Sequence, residues 1–329
     1  MIAMRPSLQT LCEAFIVNRD TIKRAFRLEN SALYPVCANI FCARQRAAEE
    51  EQLKACRDIL RSQTGIFSSF RGTLTLPISC LLAVSPQPEE TMARALANYR
   101  LLKEKFWGSE YLALAAFLLA GQGDLPLADV AVRGKALYQR MKQEHPFLTG
   151  SEDSIFALLL ALSEKDDDAL IRDMEESYQL LRDRFHAGNE VQAVSHVLTL
   201  APGNPEEKAC RVVDLYDAIL ASGGKYRRDH ALSTLAALAM LSPDTALLAS
   251  DMADVDAFLA RQKGYGGLLG EDRRTRMLHS AMIVSDEYAP RDQVETASIT
   301  GALALIAAEQ AALCACMAAS TASQASNSH

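Results

Sequence analysis

The sequence predicts an all-α protein built from stacked antiparallel helical hairpins, an α-solenoid-like array with a period of about 39 residues. Three observations predict it. Tyrosines recur at Tyr99, Tyr138, Tyr178 and Tyr216, in steps of 39, 40 and 38. Segments of helical period alternate between amphipathic and apolar on all sides. No segment alternates apolar and polar side chains in the manner of a half-buried strand. One step back from Tyr99 lies near Leu60, and one step on from Tyr216 reaches Val255, so the pattern extends over six units. These six positions are expected to face the apolar helices rather than solvent. A closed α/α toroid is the alternative arrangement of the same helices.

Residues 1–33, containing LCEAFIVNRDTIKRAFRLE, read as N-terminal capping helices, and 34–320 as the hairpin-repeat domain. The apolar helix of each unit runs through TLTLPISCLLAVS, SEYLALAAFLLA, SEDSIFALLLALS, NEVQAVSHVLTL, RDHALSTLAALAML and RTRMLHSAMIVS. A helix without a polar face must be covered on most sides. Ser109, Ser151 and Asn189 stand where N-caps belong, and Pro77 marks a first turn or a kink. The amphipathic partners carry a single apolar stripe, such as Leu170, Met174, Tyr178 and Leu181. Their starts hold Pro88, Pro205 or Pro243 with Glu89, Glu206 or Asp244, which suits the positive end of a helix. Turn-forming stretches such as AVSPQPEE and APGNPEE join one kind to the other.

The last apolar segment, 299–320, is interrupted by Glu309 and Gln310. A charge in mid-bilayer costs on the order of 3 kcal/mol, so a packed helix is expected and a membrane span is not. Residues 321–329 are small and polar and read as a disordered tail.

The net charge of −7 argues against a general affinity for nucleic acid, which needs basic stripes. The run Arg273, Arg274, Thr275, Arg276 reads as a solvated helix start. No secretory leader is visible at the N-terminus. The eight cysteines show no CxxC pair or zinc spacing, and most sit in apolar helical runs. The expectation is a cytoplasmic protein with reduced thiols, no metal and no cofactor.

GIFSSFRGTLTLPISCLLAVSPQPEE (65–90), followed by SEYLALAAFLLA and the Gly-Tyr-Gly-Gly segment, resembles a family of bacterial proteins of about this length. The family comes mostly from Gram-positive species and is catalogued as a domain of unknown function. The resemblance covers most of the chain. It implies an all-helical fold and carries no activity, cofactor or catalytic residue to transfer.

Two candidate sites emerge from the residues. His196 and His279 lie inside apolar helices, near Gln192, Ser195 and Thr199 in one and Arg276 in the other. Buried polar groups need partners, and a cluster of them can line a ligand pocket or simply tie neighbouring helices together. Phe106, Trp107 and Tyr111 gather near a hairpin junction, where exposed aromatics would anchor a partner and buried ones would pack between repeats. GYGGLLG follows an amphipathic helix rather than a strand and is read as a helix end, not a phosphate loop. SSFRG lacks a nucleophile elbow and a histidine partner. No catalytic residue is assigned. The leading expectation is a non-enzymatic interaction or scaffold protein that holds a protein or peptide. A small-ligand-binding protein or enzyme is the alternative.

Overall fold

The computed structural model describes residues 4–122, 125–229, 231–266 and 270–289. The 299–320 segment and the 321–329 tail lie outside them. Among the described residues there are fourteen α-helices, one short 3-10 turn and no strand. In order these are α1 (Pro6–Ala25), α2 (Leu33–Ala43), α3 (Glu50–Gln63), the 3-10 turn Gly72–Leu74, α4 (Thr75–Val84), α5 (Pro88–Leu102), α6 (Glu110–Ala120) and α7 (Leu127–Glu144). Then come α8 (Asp153–Leu160), α9 (Asp167–Phe185), α10 (Asn189–Leu200), α11 (Pro205–Ala221), α12 (Ala231–Leu241), α13 (Thr245–Leu259) and α14 (Arg273–Tyr288).

The described residues form two compact units, 19–171 and 4–18 with 172–289. In the 19–171 unit α3 pairs with α4, α5 with α6 and α7 with α8. The amphipathic helices α3, α5 and α7 are sequential neighbours, and the apolar helices α2 and α4, then α6 and α8, touch each other. In the other unit α11 pairs with α12 and α13 with α14, while the apolar helices α10, α12 and α14 pack in succession. In these five hairpins an amphipathic helix pairs with the apolar helix after it.

All residues of α4 from Thr75 to Ala83 are buried, as the apolar composition requires. Pro77 falls in the first turn of α4, where its missing amide costs nothing. The last four carbonyls of a helix have no donor within it. The amphipathic helices supply the donors. Gln52 Nε2 donates to the Ala83 carbonyl at 2.9 Å, and Asn98 Nδ2 to that of Ala116 at 3.2 Å. Arg133 Nη1 donates to the Ala161 and Ser163 carbonyls at 3.0 and 2.5 Å. The fully buried Lys208 ammonium donates to Leu198 and Ala201 at 2.6 and 3.1 Å.

Of the six ladder positions, Leu60, Tyr178, Tyr216 and Val255 are buried, and Tyr99 and Tyr138 are partly so. Three phenols reach polar groups in loops. Tyr99 donates to Ser69 Oγ at 2.8 Å, Tyr138 to the Gly150 carbonyl at 3.0 Å, and Tyr216 accepts from Arg228 Nε at 2.8 Å. A second aromatic series was not read from the sequence. Phe70, Phe106 and Phe185 meet Tyr99, Tyr138 and Tyr216 edge to face at 5.3, 5.8 and 5.1 Å. These aromatics sit at or just beyond the ends of amphipathic helices, as do the buried Tyr226 and Tyr265.

Ser109 caps α6, accepting from the Leu112 amide at 3.1 Å. Ser151 and Asn189 are not caps. The α8 helix starts at Asp153, whose carboxylate turns back to the Gly150 amide at 2.8 Å, and α10 already includes Asn189. The 273–276 run also differs from the expected solvated start. Arg273 and Arg276 reach back to the buried Asp256 carboxylate, at 3.1 and 2.8 Å. A charged pair hidden at the α13–α14 hairpin leaves no alternating pattern to read.

Candidate functional site

The polar candidates fall on α10 and α14, in the unit of residues 4–18 and 172–289. Gln192, Ser195, His196 and Thr199 are buried on α10, and His279 on α14. Ser195 Oγ donates to the Gln192 carbonyl at 2.7 Å and Thr199 Oγ1 to that of Ser195 at 2.8 Å, so both hydroxyls serve their own helix. His279 Nδ1 lies 2.8 Å from the Tyr265 hydroxyl, and its ring lies 6.3 Å from that of Phe15. Arg276 is committed to Asp256 and to the carbonyls of Tyr265 and Glu271. The structure therefore pairs Arg276 and His279 with the Tyr265 turn.

A second polar knot ties the N-terminus of α1 to α13 and α14. The Arg5 guanidinium pairs with the Asp251 carboxylate, and Ser7 Oγ donates to Glu287 at 2.6 Å. Tyr288 Oη donates to Asp251 at 2.7 Å and lies 3.1 Å from Arg5 Nη2. Burial, reinforced by the Asp251 carboxylate, pushes the Tyr288 phenol up to about 12. Among the described residues no group of three His, Cys, Asp or Glu is placed to hold a metal ion.

The aromatic candidates divide. Phe106 is buried against Tyr138, Tyr111 is partly buried, and Trp107 is 91% exposed. Trp107 is not isolated in its environment. The other large side chains exposed to this degree are Leu28 at 101%, Phe67 at 95% and Phe147 at 97%, with Ile66 at 73%. Leu28, Phe67, Trp107 and Phe147 follow one another at 39, 40 and 40 residues. All belong to the 19–171 unit. Each lies in a loop that leads from an amphipathic helix to an apolar one, α1–α2, α3–α4, α5–α6 and α7–α8.

α3, α5 and α7 are neighbours, each pairs with the apolar helix after it, and the loop between the two carries the exposed residue. The α1–α2 loop runs beside α3, to whose first residue, Glu50, Arg24 of α1 is paired at 2.5 Å. Its Glu29 carboxyl, raised by burial, faces Arg61 and Arg57 towards the end of α3. Three of the four loops present the apolar residue in the same way. Backbone hydrogen bonds Glu29 to Phe26 (3.1 Å), Ser68 to Gly65 (3.1 Å) and Leu148 to His145 (3.2 Å) close four-residue turns. Leu28, Phe67 and Phe147 are each the third residue of their turn, pointed away from the chain that closes it. Buried Phe26, Phe70 and Phe106 hold the loops to the body beneath. At the Trp107 loop, a side chain at Gly108 would meet the Tyr99 hydroxyl at 2.8 Å, so the loop packs closely on the end of α5. The result is a series of separate apolar side chains exposed on loops, three of them on hydrogen-bonded turns.

A model of DUF4003, described as a protein of unknown function, matches residues 18–311 of this chain. The chain is also similar to the uncharacterized protein YeaA of Bacillus subtilis (strain 168), at 25% identity over 230 residues, covering 68% of this chain and 69% of the relative. No solved structure matches.

Proposed function

The chain belongs to the DUF4003 family, and within that family we propose that it works as a non-enzymatic, cytoplasmic interaction protein, an α-solenoid-like array that docks a macromolecular partner on the exposed loops of the 19–171 unit. One observation carries the reading: four large apolar side chains, Leu28, Phe67, Trp107 and Phe147, stand nearly fully exposed at matching loop positions. Scattered exposed apolar residues need no explanation, but a regularly spaced series of them marks an interaction surface. The chain has plenty of core to hide them in, and hides the neighbouring Phe26, Phe70 and Phe106. The free, mostly buried cysteines among the described residues support a reducing compartment.

The test is a variant with Leu28, Phe67, Trp107 and Phe147 all replaced by serine. It is expected to keep the helical content and melting temperature of the wild type while losing its co-fractionation with larger assemblies or membranes in the native cell. Unchanged fractionation of the folded variant would contradict the proposal.

A further inference from the structure

We draw no further inference here: the strongest candidate, the series of exposed apolar side chains Leu28, Phe67, Trp107 and Phe147 on the loops of the 19–171 unit, already carries the docking role proposed above, and nothing in the structure shows what covers it.

Discussion

At the scale of single residues, the most informative side chains are polar groups committed to the ends of apolar helices. Lys208 is nearly inaccessible, and its ammonium donates to two carbonyls at the end of α10. Lys208→Met keeps most of the volume but leaves those carbonyls without their charged donor. The expected loss is about 2 kcal/mol in urea unfolding, since hydrogen bonds to charged groups are the stronger kind. A variant as stable as the wild type would show that relief from burying the charge offsets the lost bonds. Tyr288 gives a prediction in pH. Its phenol is raised from the ordinary 10 to about 12, so the folded chain holds that proton more tightly than the unfolded one. Its contribution to stability is complete below pH 10 and is lost as the pH rises towards 12. Melting temperature should therefore fall over this window, and should fall less steeply in Tyr288→Phe. Cys12, also raised to about 12 by burial, adds to the slope in both proteins, so the difference between them is what matters. None of this was legible in the sequence. Lys208 and Asp256 drew no reading, and Arg276 was placed in a candidate ligand pocket rather than in an ion pair, because pairing across a hairpin has no local pattern.

At the scale of helices, the sequence was far more readable. Apolar segments without a polar face became fully buried helices, and stripes of helical period became their amphipathic partners, because burial follows periodicity directly. Boundaries were less legible at Ser151 and Asn189, where a neighbouring Asp153 and Gly188 settle the helix start. Gly134 shows why one interior glycine is kept in α7. A side chain there would come 2.9 Å from Leu158 Cδ2 and 3.4 Å from its Cα on α8. Gly134→Val should destabilise the α7–α8 hairpin by about 1–3 kcal/mol through overpacking, despite the usual penalty of glycine in a helix. Denaturant unfolding would measure it, and a gain in stability would mean that the two helices are free to separate. The buried loop aromatics Phe70, Phe106 and Phe185 escaped the sequence reading because their spacing is less regular than that of the tyrosines. Each nevertheless meets the tyrosine of the next amphipathic helix through the same edge-to-face contact.

At the scale of the whole molecule, the functional signal is a difference in what equivalent loops do with their apolar residues. In the 19–171 unit they anchor one and expose the next, as at Phe106 and Trp107. In the other unit the next positions at the same 39–40 residue step as Phe147 are His186, Tyr226 and Tyr265, and both tyrosines are buried. Sequence alone placed Phe106, Trp107 and Tyr111 in one group and could not separate them, since exposure depends on how each turn closes. The most direct test of the docking loops is site-specific photocrosslinking in the native cell. A photoreactive residue in place of Trp107 is compared with one in place of Gln87, an exposed position in the α4–α5 turn. Strong adducts at 107, reduced when Phe67 and Phe147 are changed to serine, together with little or none at 87, are the predicted result. Equal labelling at the two positions, or none at 107, would contradict it.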